Sequence, residues 1–301
     1  MQRITSTVLL PAVLLLLPAS ASAQLSLQWM VPAAAHTAGL NGTFWATDLS
    51  LHNPHDVDLP VVVQFLPSDT DNQTADTMYV TLYPYETYNL WDVLGDTVFA
   101  VDGTGALLVF ADWDLDCEPV ESCHFLVTSR TYTRNPSGPG EYGQTIPGAA
   151  AWRGVDWDTL GYAAGLLNDG VAFRTNLGLA SWSGSWTTVA VDVQDAAGTI
   201  LERLVYDVPP FGHIQRRLPT TVEGGSVVFW IQDGGSDALI YGYVSVVDES
   251  TGDASFQLAR PSTVGWTAAQ SAIESSPRRP VPATDGPVRS LVDRPTGRDV
   301  R

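Results

Sequence analysis

The chain repeats itself, and that repetition is the tightest constraint on its fold. Trp45-Ala-Thr-Asp-Leu-Ser-Leu51 returns as Phe173-Arg-Thr-Asn-Leu-Gly-Leu179, an offset of 128 residues. Asn41-Gly42 returns as Asp169-Gly170 and Val61-Val-Val63 as Val189-Ala-Val191 at the same offset, and Pro84-Tyr85 matches Pro210-Phe211 at 126. Gly105-Ala-Leu-Leu-Val-Phe110 matches Gly225-Ser-Val-Val-Phe-Trp230 at 120, and Leu126 to Gly138 tracks Ile240 to Gly252 at 114. The offset shrinks only between apolar segments, as it does when strands are kept and loops trimmed. The pattern reads as one supersecondary unit placed twice in tandem.

Within each copy the spacing predicts seven short strands. They fall near 27–32, 43–52, 59–66, 77–83, 86–91, 104–112 and 124–134, with counterparts near 160–167, 171–180, 187–194, 200–207, 211–218, 225–232 and 239–248. Thr47-Asp-Leu-Ser-Leu51 and Val189-Ala-Val-Asp-Val193 alternate like half-buried strands, whereas Leu107-Leu-Val-Phe110 and Val227-Val-Phe-Trp-Ile231 are continuous apolar runs suited to central ones. Pro84 and Pro210 cannot donate to a sheet ladder, so they mark edge strands or a switch of sheet. The expected fold is all-β: two tandem immunoglobulin-like β-sandwich domains.

The expected organisation is a signal peptide over 1–23, a first sandwich over 24–144, a joint over 145–159, a second sandwich over 160–265 and a disordered Pro- and Arg-rich tail over 266–301. Arg3, the apolar run Val8–Leu17 and Ala21-Ser-Ala23 give the signal its charged, apolar and small-residue parts, with cleavage after Ala23. The run falls well short of the roughly 20 apolar residues that span a bilayer. The expected location is therefore the periplasm or the medium, with no membrane insertion. Trp152 and Trp157 predict that the joint is packed.

Residues 24–270 carry 29 Asp and Glu against 8 Arg, a net charge of −21, while 271–301 carry 6 Arg against 4 acids. Such a body repels phosphate backbones and anionic lipid surfaces, so nucleic acid is excluded as a partner. The Asn-x-Thr triplets at Asn41 and Asn72 fit the glycosylation pattern, but the all-Arg basic set and short signal suggest a bacterial source. Cys117 and Cys123 are six residues apart in a chain bound for an oxidising compartment, and a disulfide between them is expected. They fall where the offset drops from 120 to 114, so the bond pins a loop that only the first copy has.

No Gly-x-Ser-x-Gly elbow, His-Glu-x-x-His or phosphate-cradling loop occurs. His52 and His55 sit in one loop with Asp56 and Asp58, a set that could bind a metal, although no helix aligns the rings. Asp112, Asp114 and Asp116 alternate as calcium ligands can, but Cys117 and Cys123 stand where an EF-hand needs Gly and Glu. No cofactor is expected, with calcium the alternative. Trp182 and Trp186 flank a Ser-Gly-Ser turn present in the second copy alone, where paired indoles could stack on sugar faces or anchor a surface protein.

Three segments, Val31-Pro-Ala-Ala-Ala-His36, Thr47-Asp-Leu-Ser-Leu-His-Asn-Pro54 and Tyr142-Gly-Gln-Thr-Ile-Pro147, resemble a group of secreted bacterial proteins of uncharacterised function built from paired β-sandwich repeats. The resemblance implies export and the tandem fold, and it carries over no site residue. The expectation is a non-catalytic exported protein with a binding or structural role at the cell surface or in the periplasm. The alternatives are a carbohydrate-binding module using Trp182 and Trp186, and a hydrolase using loop carboxylates.

Overall fold

The computed structural model describes residues 25–39, 42–95, 97–112, 115, 117–135, 138–263 and 298–299. Among these residues there is no α-helix, and the chain is built from β-strands with short 3-10 turns at Val120–Cys123 and Ala151–Arg153. The first half supplies β1 (Gln28–Ala38), β2 (Phe44–His52), β3 (Leu59–Pro67), β4 (Asp76–Leu82), β5 (Thr87–Leu90), β6 (Gly103–Ala111), β7 (Leu126–Arg134), β8 (Glu141–Pro147) and β9 (Ala149–Ala150). The second supplies β10 (Leu160–Asn168), β11 (Phe173–Ser181), β12 (Thr187–Gln194), β13 (Ile200–Val208), β14 (His213–Arg217), β15 (Val222–Asp233), β16 (Ile240–Asp248), β17 (Ala254–Leu258) and β18 (Arg260–Ser262). A two-residue β19 (Arg298–Asp299) pairs in parallel with β4 at Met78 and Tyr79.

Strand order is the same in both halves. In the first, β4-β3-β6-β1 and β5-β2-β7-β8 are two arms of one continuous sheet, joined where the ends of β1 and β2 pair at Thr37↔Trp45 and Ala38↔Phe44; in the second, β13-β12-β15-β10 and β14-β11-β16-β17 are separate sheets. Even the short closing strands correspond, β9 pairing β1 and β18 pairing β10. All seven strands read from each copy are present. β8, β9, β17 and β18 were not expected. Residues from 145 on read as the start of a joint, yet β8 runs through to Pro147 and pairs with β7 along its whole length, from Arg134↔Glu141 to Thr128↔Pro147. The expected signal peptide, 1–23, lies outside the described residues, and so does the expected tail, 266–301, apart from 298–299. No helix of the described residues is long and apolar enough to cross a membrane.

One shared device explains the most repeated stretch of sequence. β1 carries a bulge between Val31 and Ala34, where Pro32 has no N–H to give the ladder, and β10 carries one between Ala164 and Leu166. A bulge frees backbone donors that must be satisfied when buried. The Thr47 hydroxyl accepts from Ala35 N at 2.8 Å, and the Thr175 hydroxyl accepts from Leu167 N at 3.1 Å. These threonines open the Thr-Asp-Leu and Thr-Asn-Leu repeats, whose leucines (Leu49, Leu51, Leu177, Leu179) fill the two cores. Opposite each bulge stands a glycine with no room for a side chain. A Cβ on Gly105 would lie 2.3 Å from Leu66 O, and one on Gly225 2.1 Å from Gln194 O.

Each half has its own apolar core, and a third core lies between the halves. Leu107, Val109 and Ala111 of β6 point into the first sandwich, while the alternate residues Ala106, Leu108 and Phe110 point out of it and are buried just as deeply. That is why β6 reads as an unbroken apolar run: both of its faces are covered. The outer cover is the second half, through Ala180, Phe211 and Tyr241, which meet Met30, Val62 and Leu108 in the shared cluster. Each large side chain buried there contributes about 1.5–3 kcal/mol. Phe211 enters from a turn whose backbone it holds at φ 45°, and its counterpart Tyr85 has φ 59°. In both halves this Pro-aromatic corner carries the chain from one sheet or arm to the other, the switch expected of Pro84 and Pro210.

Candidate functional site

Between the halves, beside the shared cluster, lies a cleft of about 360 Å³. Its second-half wall is one face of the sheet β14-β11-β16, and period-two alternation decides its chemistry. Thr175, Leu177 and Leu179 turn inward, so Arg174, Asn176, Gly178 and Ala180 share the outer face. Along that face the residues change from apolar to polar. Ala180 and Tyr241 are sealed in the shared cluster, whereas Arg174, Asn176, Gln215 and Ser245 line the cleft. Gly178 marks the change: a Cβ there would sit 2.0 Å from Tyr243 Cζ, so the glycine lets the Tyr243 ring lie across the sheet.

The first half contributes a floor of small residues, Ala33–Ala35 beside the β1 bulge, together with Trp45 of β2 and Gln144 and Ile146 of β8. Two of the segments that carry the sequence resemblance, 31–36 and 142–147, therefore meet here. Gln144 Oε1 accepts from Ser245 Oγ at 3.1 Å, a direct bond between the halves. Arg174 is held by Glu249 at 2.5 Å. Among the described residues the Asn176 side chain makes no hydrogen bond. The lining holds hydroxyls, carboxamides, one guanidinium, one indole and the imidazole of His213, and it includes no Asp or Glu.

A second set of bonds between the halves runs along the start of β14. Asp69 N donates to His213 O at 2.8 Å, Asn72 Nδ2 donates to Phe211 O at 3.0 Å, and Arg216 pairs with Asp69. At its centre Ser68 Oγ is 2.7 Å from His213 Nδ1, His213 Nε2 is 2.9 Å from Tyr243 Oη, and Tyr243 donates to Gln215 Oε1 at 2.7 Å. Since the tyrosine proton goes to Gln215, its oxygen accepts from His213 Nε2–H, which leaves Nδ1 to accept from Ser68. Burial lowers the His213 pKa from 6.5 to about 4 and drives that of Tyr243 far up. A serine on a histidine resembles a nucleophile on its base, but this imidazole is a poor proton acceptor at neutral pH. Ser68 Oγ is also within 2.9 Å of Thr104 O and Thr104 Oγ1, so the serine is fixed in the joint between the halves.

The residues singled out from the sequence are dispersed. Trp182 packs against the shared cluster, while Trp186 is 44% exposed, so the two indoles have different surroundings. Ser183 between them is fully buried, bonded to Asp237. His52 Nδ1 meets Thr87 Oγ1 at 2.9 Å, and His55 Nε2 meets His124 O at 2.6 Å, so each ring has its own partner. Asp114 and Asp116 lie outside the described residues; Asp112 caps the end of β6, its N donating to Pro60 O. Cys117 and Cys123 are bonded, and Cys123 is buried in the first core beside Phe125. Trp157 seals the joint through Nε1–H to Gly235 O at 3.0 Å, whereas Trp152 is half exposed. Sequence reasoning missed Trp45, Gln144, Asn176 and Gln215. The available signal was the outward register of the repeated strands, since polar residues facing outward beside an apolar stretch mark the rim of an interface.

No protein-family model matches this chain, and comparison with curated proteins gives no match.

Proposed function

We propose that the protein is an exported, non-catalytic binding unit of the cell surface or periplasm, and that the cleft between its halves holds a neutral glycan. The observation that carries this reading is the lining. Trp45 offers an apolar aromatic face, while Asn176, Gln144, Gln215, Thr37 and Ser245 offer donors and acceptors without net charge. Sugars present the same combination, an apolar ring face edged by hydroxyls. The lining lacks the pair of carboxylates that glycoside hydrolysis uses, which favours holding a sugar over cleaving it. The shared cluster and the bonds at Ser68 and Gln144 fix the two walls relative to each other, so little ordering cost falls on binding.

The test is a glycan and cell-wall array probed with the mature protein and with Trp45→Ala and Asn176→Ala variants. The expected result is a neutral glycan whose affinity falls at least about tenfold, or about 1.4 kcal/mol, in each variant. Equal binding by all three proteins, or binding lost only on removing Trp186, rejects the cleft as the site.

A further inference from the structure

Every exposed large apolar side chain that lies in a described strand of the second half is on β13: Ile200, Leu201 and Val205, the last 55% exposed. β13 is the outermost strand of its sheet, and among the described residues its backbone bonds to β12 alone. From Glu202 to Val208 that pairing runs without a bulge or a proline, so the outer edge is a regular row of free N–H and C=O groups. Proteins commonly guard such an edge with charges, and β13 carries Glu202, Arg203 and Asp207. All three are laid back on the chain itself. Glu202 accepts from Thr220 Oγ1, Arg203 holds Asp192 through Nε at 2.6 Å and Nη2 at 2.8 Å, and Asp207 accepts from Thr188 Oγ1 at 2.8 Å. The matching edge of the first half, β4, does carry a strand: Tyr79, the counterpart of Val205, pairs with Asp299 of β19.

We propose that two copies of the chain join through this edge, their β13 strands antiparallel about a two-fold axis at Val205, so that two five-stranded sheets become one. What selects a second copy over an unrelated strand is that β13 complements itself. With Val205 facing Val205 of the second copy, Arg203 lies opposite the second copy's Asp207, and Leu204 opposite its Tyr206. Directly opposed residues share a face of the sheet, so the exposed row Arg203, Val205, Asp207 meets itself reversed. An apolar pair is then flanked on both sides by opposite charges. The neighbouring registers lose this match. With Arg203 on the axis two guanidiniums meet, and with Leu204 on it the apolar Leu201 faces Asp207. Arg203 binds Asp192 through Nε and Nη2, which leaves Nη1 to reach the second copy's Asp207. Each chain carries a net charge of −18, but at 0.15 M salt repulsion fades beyond about 8 Å, and the opposed residues decide.

The test is sedimentation equilibrium of the mature protein in 0.15 M NaCl, loaded from about 1 to 500 µM, a range that covers micromolar to near-millimolar dissociation constants. The wild type is expected to pass from monomer to dimer across it. Val205→Lys places two ammonium groups on the axis and should stay monomeric. Val205 is exposed, so an unchanged thermal melt shows that the variant is folded. Oxidative cross-linking then fixes the register. Opposed Cβ atoms sit about 4.5–5.5 Å apart, so Val205→Cys should give a disulfide-linked dimer. Leu201→Cys is exposed too, but it lies opposite Pro209 of the second copy and should not cross-link. A monomer at every loading, a dimer that survives Val205→Lys, or equal cross-linking of the two cysteine variants overturns the proposal.

Discussion

Ser68 Oγ and His213 Nδ1 sit 2.7 Å apart although 145 residues separate them in the chain. The bond joins the end of β3 to the start of β14 and places a nearly fully buried imidazole between the halves. Its consequence is a pH dependence. Folded His213 stays neutral down to about 4, mainly through burial, with Asp69 opposing the shift and Arg216 adding to it, whereas an unfolded histidine titrates near 6.5. Between those values the unfolded chain binds the extra proton, so stability is complete above about 6.5 and falls as the pH drops toward 4. The full effect is at most about 3 kcal/mol. Urea titrations of the wild type and His213→Gln from pH 7.5 to 4 should show the variant less stable at pH 7.5 and less sensitive to acid. Parallel curves would place the proton uptake elsewhere.

The threonines under the bulges make the second prediction. Thr47→Val and Thr175→Val keep the side-chain shape but leave the bonds from Ala35 N and Leu167 N unmade in buried surroundings. Each should cost about 1–3 kcal/mol by denaturant unfolding, with the slope on denaturant unchanged. Each hydroxyl makes a second bond, Thr47 with Thr131 Oγ1 at 2.8 Å and Thr175 to Leu167 O at 2.9 Å, but the Thr47 bonds are the more deeply buried, so its loss should be the larger. A change below about 0.5 kcal/mol at both sites would mean that the bulge donors find another acceptor.

The disulfide closes a loop of seven residues, and removing its entropic constraint should cost about 2–2.5 kcal/mol. Cys123 is 4% exposed and packs in the first core, so the loop is more than an appendage. The Cys117→Ala/Cys123→Ala double variant should therefore fold and melt lower by more than loop closure accounts for. A melt unchanged within about 0.5 kcal/mol would show that the loop neither constrains the unfolded chain nor fills the core.

Strand positions were readable because alternation and turn chemistry are local, and the repeat offset supplied the pairing of one half with the other. The joint was not readable. β8 is polar and Gly-containing (Glu-Tyr-Gly-Gln-Thr-Ile-Pro), with only Ile146 deeply buried, so its sequence lacks an apolar stripe. The outward residues of β6 were legible as apolar, but a run buried on both faces does not say what covers its second face. The cover, Phe211 and Tyr241, comes from more than 100 residues away. The Trp182–Trp186 loop stood out as a local oddity, yet the cleft is assembled from unremarkable positions on nine strands, which only the docking of the two halves brings together.

Two tyrosines on adjacent outward positions of β16 should respond oppositely to loss of the hydroxyl. Tyr243 Oη accepts from His213 and donates to Gln215, completing the chain of bonds that starts at Ser68. In Tyr243→Phe both partners lose their bond, and the buried His213 Nε2–H is left without an acceptor, a cost of about 1–3 kcal/mol. Tyr241 Oη is buried in the shared cluster and has no hydrogen-bond partner among the described residues. Its ring fills the space between the halves, while its hydroxyl bears a desolvation cost with no bond to offset it. Tyr241→Phe keeps the ring and removes the cost, so it should be neutral or stabilising by up to about 2 kcal/mol. Thermal and urea melts of the two single variants decide the matter. If Tyr241→Phe destabilises as much as Tyr243→Phe, a buried water or an unseen partner holds the Tyr241 hydroxyl, and the interface is more polar than its side chains indicate.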